Sequence, residues 1–323
     1  MATYKGIQGY TVQKLSSDPD KSEADGQLWY NSSAGKFKIG TSATGAWASG
    51  GDINVPRYRW MGGFGTTSTG IVVGGLKTPG YSASALVEEY NGSAWSEIAD
   101  IPARSDNWAT GTPTAGISGT GSPYMNTVYE FNGTSWTAGG DYPETSARTN
   151  ASGTQTATLA QGGAPPPGSY TNVTAEYNGV AWALGGVYPT NHANGAMCGT
   201  QTAGFAIGGY DPGNTVDCNQ YNGTSWTETA DTNTAHGECG GSQSGTTTAA
   251  MVVAGAPGTP TQTEIWNGTS WTEVADLSAG RSSGASVGTS GNAMYMGGSP
   301  VSPGVLTEVW SDPVYTIKTV TLS

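Results

Sequence analysis

Short runs of aromatic and β-branched residues, broken by glycine-rich turns, recur along most of this chain at a nearly constant interval. The most regular piece is an aromatic residue, Asn-Gly, two small residues and tryptophan. It occurs as Tyr90–Trp95, Phe131–Trp136, Tyr177–Trp182, Tyr221–Trp226 and Trp266–Trp271. The Asn-Gly steps lie 41, 46, 44 and 45 residues apart, a period that marks an array of small repeated sheets. Asn-Gly between two such runs is a hairpin signal, because both residues tolerate the positive φ of a tight reversal. Each copy therefore predicts strand, turn, strand.

The rest of the repeat adds two further strands. In the copy that ends at Trp226, Asn191 to Gly199 predicts a first strand and Ala203–Gly209 a second that ends in Gly-Gly; Thr215–Tyr221 and the strand from Trp226 complete it. The Gly-Thr turn returns at Gly65, Gly111, Gly153, Gly199 and Gly288, with Gly-Ser at Gly241, which counts six units. The glycine pair returns at Gly74-Gly75, Gly162-Gly163, Gly208-Gly209 and Gly297-Gly298, with Ala254-Gly255 and Ser118-Gly119 as weakened forms. Four strands in a unit of this length predict a propeller blade. The ends are complementary: Trp47–Arg57 is the last strand of a unit with no first part, and Thr307–Trp310 is a third strand followed by no Asn-Gly and no tryptophan. The expectation is an all-β, six-bladed propeller over 47–312, closed by an N-terminal strand that completes the last blade, with an N-terminal segment at 1–46 and a C-terminal strand or tail at 313–323.

Composition agrees with many short strands rather than one large core: 51 Gly, 17 Pro and 11% charged residues in 323. A net charge of −12 with only 12 Lys and Arg argues against nucleic acid as a partner, since phosphate binding needs clustered cations. No apolar run approaches the ~20 residues of a membrane helix, and the first residues lack the apolar core of a secretory signal, so folding in a cytoplasm is expected. Cys198, Cys218 and Cys239 form neither an even disulfide set nor a metal spacing. His192 and His236 stand one repeat apart, and two histidines fall short of a zinc site. Neither metal nor cofactor is expected.

The Gly-Gly that ends the second strand, the later Tyr, the Trp about five residues on and the following Pro-x-Arg resemble the Kelch repeat of Kelch-type β-propellers, over roughly residues 47 to 312. Two departures stand out. The loop before the tryptophan is cut to Asn-Gly-x-x, and the glutamate two residues before the aromatic survives only at Glu88, Glu264 and Glu308. A copper site of the galactose-oxidase kind and a sialidase-like arginine triad find no constellation here, and no carboxylate pair for glycan cleavage stands out. No enzyme is expected.

Two sets of residues remain as a candidate ligand face, because strand alternation places the fourth-to-first and second-to-third connections on one side. The first is Arg57, Arg104, Arg148, His192, His236 and Arg281, at intervals of 47, 44, 44, 44 and 45; these read either as structural donors to backbone carbonyls or as ligand contacts. The second is Tyr81, Tyr124, Tyr170 and Tyr210, one in each of the first four units, which read as contact residues or as loop packing. The outer tryptophans read as packing between sheets. Ahead of the repeats, Gly26–Asn31 and Lys36–Gly40, joined by Ser32–Gly35, predict a hairpin with the pattern Leu28-Trp29-Tyr30-Asn31, three residues, Gly35-Lys36-Phe37-Lys38, whose Leu28, Trp29, Tyr30, Phe37 and Ile39 exceed what one hairpin buries. This pattern resembles short N-terminal hairpins of bacteriophage virion proteins, in particular fibre and appendage proteins of phages of marine bacteria. The resemblance implies a virion protein, assembled in the host cytoplasm, whose N-terminal segment docks on other virion proteins while the propeller face meets a host surface glycan or protein. A decoration or connector without receptor binding is the alternative, and a glycan-cleaving enzyme a more remote one.

Overall fold

In the computed structural model, residues 12–20, 26–42, 45–258, 260–300, 304–312 and 315–321 are described. The first eleven residues of the N-terminal segment thus lie outside the described residues. The chain divides into two compact units, Trp47–Ser311 and a smaller one formed by residues 1–46 with 312–323.

Every described element of the larger unit is a strand or turn, and its repeats form six four-stranded sheets among the described residues. The innermost strands, in order, are Gly62–Gly65, Trp108–Thr112, Asn150–Thr154, Ala196–Thr200, Gly240–Gly241 and Ala285–Thr289. Each inner strand lies against the next, and Ala285–Thr289 lies against Gly62–Gly65. Successive strands run outward and antiparallel, as in Asn150–Thr154, Ala157–Gln161, Thr174–Tyr177 and Trp182–Leu184 of the third sheet. In the sixth sheet the outermost place, beside Thr307–Ser311, is taken by Ala46–Ser49 from the other end of the chain. A short three-stranded sheet, Arg57–Arg59, Leu76–Lys77 and Ser82–Ala83, lies beside the first.

Three sets of contacts join neighbouring sheets, and the repeated residues of the sequence supply the outer two. The innermost is a circle of backbone hydrogen bonds: Asp106 N–H to Trp60 O (2.9 Å), Arg148 to Asp106 (2.9 Å), Asn194 to Arg148 (3.2 Å), Glu238 to Asn194 (2.7 Å), Ser283 to Glu238 (2.7 Å) and Trp60 to Ser283 (2.7 Å). All six residues have φ between 49° and 62°, a conformation non-glycine residues seldom adopt. The second circle uses the last residue of each glycine pair. Gly75, Gly121, Gly163, Gly209 and Gly255 donate to the carbonyls of Arg104, Ser146, His192, His236 and Arg281 in the following sheet, and Gly298 donates to Arg57 at 3.4 Å. The pair in the second sheet is therefore Thr120-Gly121, with Thr120 at φ 50°, rather than Ser118-Gly119. At the periphery each tryptophan indole reaches the preceding sheet: Trp95 to Gly51 O, Trp136 to Ala99 O, Trp182 to Gly140 O, Trp226 to Gly186 O and Trp271 to Ala230 O, at 2.7 to 3.1 Å.

The Asn-Gly turns work differently from the expectation. Only the glycine takes positive φ; the asparagine contributes its side-chain oxygen, which accepts the backbone N–H groups two and three residues on, as Asn132 does from Thr134 (3.0 Å) and Ser135 (2.9 Å).

The smaller unit is a four-stranded sheet in the order Gln13–Leu15, Leu28–Asn31, Lys36–Ser42, Tyr315–Thr319. The C-terminal segment is thus an edge strand on the N-terminal hairpin.

A glycine in the second circle has no room for a side chain. At Gly209, with φ +111°, an added Cβ would sit 2.0 Å from His192 Nε2. Gly209→Ala is expected to destabilise the protein by about 3 kcal/mol or more, through backbone strain and overpacking together, read as a fall in Tm. Gly213→Ala, where nothing lies within 4 Å, is expected to leave Tm unchanged.

Candidate functional site

The six-residue circle at the start of the inner strands is also the rim of a cavity. Trp60, Asp106, Arg148, Asn194, Glu238 and Ser283 surround its mouth, and it encloses about 690 Å³ counting the open end. Their backbones are occupied in the circle, so their side chains are free to differ. Arg148 Nε donates to Asp106 Oδ1 at 3.0 Å, and its guanidinium stands 5.2 Å over the Trp60 ring. Burial pushes the Asp106 carboxyl above its usual range, against the opposing pull of Arg148. Glu238 accepts hydrogen bonds from Ser283 Oγ (2.5 Å) and Ser282 Oγ (3.4 Å). Three residues further along the inner strands the walls are Gly63, Ala109 and Ala151, and Gln243 reaches from the fifth sheet to donate to the Ala109 carbonyl of the second.

The connections between second and third strands stand around the same mouth, as bridges such as Ser105–Ser122, Ala147–Ala164 and Ala193–Tyr210 tie them to the rim segments. Tyr81 is 63% exposed and Tyr124 42%. Tyr81 meets Tyr58 edge-on at 5.4 Å, and half-buried Tyr170 and Tyr210 lie 5.4 Å apart. Of the two sequence-derived sets, the tyrosines are on this face.

The cationic set divides. Arg57, Arg104 and Arg281 are fully buried and are corrected from ligand-face to structural residues: they lie within the sheets, where no ligand reaches them. Arg57 binds Glu88 (2.8 Å) and the Val72 carbonyl (3.1 Å); Arg281 binds Glu308 (2.5 Å). Arg104 has no carboxylate. Its charge is met by carbonyls of Pro102, Thr120 and Thr127 and by the Tyr129 ring at 4.9 Å, and burial lowers its pKa to about 10. His192 and His236 are buried too. His192 bonds the Gly208 carbonyl (2.5 Å), and burial lowers its pKa. His236 bonds the Ala254 carbonyl (2.8 Å) and Glu264 (3.1 Å). The three glutamates of the Kelch-like pattern are thus the partners of Arg57, His236 and Arg281. Arg148 alone, its side chain 34% exposed, faces the mouth. Its spacing matches the set but its phase does not: Ser146 holds the structural place, and Arg148 falls two residues later, on the rim.

Trp60, Asp106, Asn194, Glu238 and Gln243 escaped the sequence reading. Rim residues recur at a regular interval but as six different types, so no residue pattern marks them. Among the described residues no three His, Cys, Asp or Glu side chains gather to hold a metal ion. Burial pushes the Cys198, Cys218 and Cys239 thiols up to about 12.

In the smaller unit, Leu28 pairs with Ile39 and Tyr30 with Phe37, so these four share one face of its sheet. Leu28 and Phe37 are exposed on it. Trp29 points the other way, is 1% exposed and donates to Asp18, and is corrected from the anchoring surface to the interior.

No family model and no curated protein matches this sequence. Among solved structures, that of YjhT is similar with a TM-score of 0.62 at 15% identity, over 85% of this chain and 100% of that one. The likeness is one of fold. With its radial four-stranded sheets, the larger unit is a β-propeller.

Burial alone would raise the Glu264 carboxyl, but hydrogen bonds from His236, Asn233 and Thr234 hold it at about 2. Its folded pKa lies below the unfolded value, so its contribution to stability is complete above the unfolded carboxylate range and lost as pH falls toward about 2. Glu264→Gln is expected to lower Tm at neutral pH and to flatten the acid limb of a Tm-against-pH curve between about pH 4.5 and 2. Parallel acid limbs for the two proteins would show that Glu264 does not supply this dependence.

Proposed function

We propose that the chain is a phage virion protein, a tail fibre or appendage component: a six-bladed, Kelch-like propeller, closed by Ala46–Ser49 completing the sixth blade, that presents its cavity mouth to the host surface. The observation that carries this reading is the concentration of recognition chemistry on one face. Tyr58, Tyr81, Tyr124, Tyr170 and Tyr210 belong to the rim segments and the connections bridged to them, beside a rim with Trp60, a partly exposed guanidinium, two carboxylates and an amide. Aromatic area with fixed donors and acceptors suits a glycan or a polar protein loop, and Tyr, Trp and Arg carry most binding energy at such surfaces. The role is binding without catalysis. The hairpin resemblance supports the virion assignment, and the apolar face of Leu28, Tyr30, Phe37 and Ile39 supports docking of the smaller unit on a neighbouring virion protein.

The test is adsorption of the purified full chain to host cells. Tyr81→Ala with Tyr124→Ala is expected to weaken binding by about 30-fold or more, the loss of one hot spot, with Tm unchanged because both side chains are exposed. Arg148→Gln is expected to weaken it as well. Wild-type chain that binds no cells, or a tyrosine double variant that binds normally, would overturn receptor binding and leave the decoration or connector reading.

A further inference from the structure

The repeat provides its own control, because the same position can be compared across six sheets. Five residues after each outer tryptophan the chain carries Asp52, Asp100, Asp141, Asp231 and Asp276, all exposed, but in the third sheet Val187. Two residues after the tryptophan stand Glu97, Glu228 and Glu273 in three sheets, and in the third Leu184. Two residues after the turn asparagine stand Ser93, Thr134, Thr224 and Thr269, and in the third sheet Val180. Val180, Leu184 and Val187 are 77, 71 and 65% exposed, more than any other large hydrophobic side chain among the described residues. Three polar positions have become aliphatic along one edge, and they are the most solvent-exposed apolar groups there.

That edge is a strand edge. Trp182–Leu184 is last in its sheet and pairs only inward, with Ala175–Tyr177. Outer strands normally carry charge to prevent pairing with another chain, and the other five outer edges each keep an aspartate. We propose that the outer edge of the third sheet is a self-association surface, at which Trp182–Leu184 of two copies pair antiparallel about a two-fold axis near Ala183.

Charge selects a second copy as the occupant. The protein carries a net −12, and antiparallel pairing about Ala183 sets Ala183 opposite itself and Leu184 diagonally across from Leu184 of the second copy, so this edge is apolar against its own kind. At the first, fourth and fifth outer edges that position holds Glu97, Glu228 and Glu273, whose like charges would oppose such pairing, and at the second and sixth it holds Ala138 and Ser49, which offer no large apolar side chain. Only the third sheet offers an edge without Asp or Glu on its outer strand or at the position five residues after its tryptophan. Exposed Ala183, between Trp182 and Leu184, leaves room for close backbone approach.

The experiment is sedimentation of the full chain across a concentration series. Wild type is expected to shift from monomer to dimer, and Leu184→Glu with Val187→Asp, which restores the residues of the other sheets, is expected to raise the dissociation constant at least tenfold with Tm unchanged. Ala183→Cys is expected to form a disulfide-linked dimer on mild oxidation; the native thiols, pushed up to about 12 by burial, do not compete. Wild type that stays monomeric up to about 1 mM, an assembly unchanged by Leu184→Glu with Val187→Asp, or no cross-linked dimer through Cys at 183 would each overturn the proposal.

Discussion

The structure depends on hydrogen bonds between main chains at the axis, where each sheet hands one N–H to the carbonyl of the sheet before it. A buried peptide group left unpaired is costly, and sheets that radiate from an axis cannot satisfy each other's inner edges by ordinary ladders. The six left-handed residues turn their amides sideways to do so, and the glycine pairs repeat the arrangement one layer further out. Because the circle is built from backbone, it makes no demand on side-chain type. A tryptophan, an aspartate, an arginine, an asparagine, a glutamate and a serine therefore occupy equivalent positions, and the recognition chemistry of the mouth varies without disturbing what holds the sheets together.

Much of this was legible from residues that do one structural job each time they occur. The tryptophans, the Asn-Gly turns and the glycine pairs have fixed partners in the fold, so they keep their identity and their spacing. What spacing could not reveal was phase. Arg148 stands 44 residues from Arg104 and looks equivalent, yet the turn before it places Ser146 at the structural point. Burial was equally hidden: an arginine in a polar connection reads the same whether it meets solvent or, like Arg57 and Arg281, a glutamate inside the sheet. The rim was illegible because its conserved feature is a dihedral angle, which leaves no mark on residue type. Alternation along a strand decided Trp29, whose neighbours Leu28 and Tyr30 face the opposite way.

Charge is scarce in this chain, and away from the rim it is used in two distinct places. Within the sheets, glutamates close off buried donors that would otherwise be left without an acceptor, and removing one member of such a pair is expected to be far more damaging than the net worth of the pair suggests. On the outer strands, carboxylates guard edges that could otherwise extend into another molecule. Both uses are local, which is how a protein with 11% charged residues keeps its many strand edges apart.

The buried ion pairs are also unevenly distributed. Arg57–Glu88, His236–Glu264 and Arg281–Glu308 belong to the first, fifth and sixth sheets, which are consecutive around the axis and include the sheet assembled from both ends of the chain. The other three sheets use Tyr129, Ala175 and Asn219 at the glutamate position and hold no such pair. Three adjacent sheets of the larger unit thus hold a buried ion pair and three do not, and the first group contains the seam. Where the two ends of the chain meet, charged side chains clasp the sheets from within, and along the uninterrupted stretch opposite, main-chain and indole contacts carry that load.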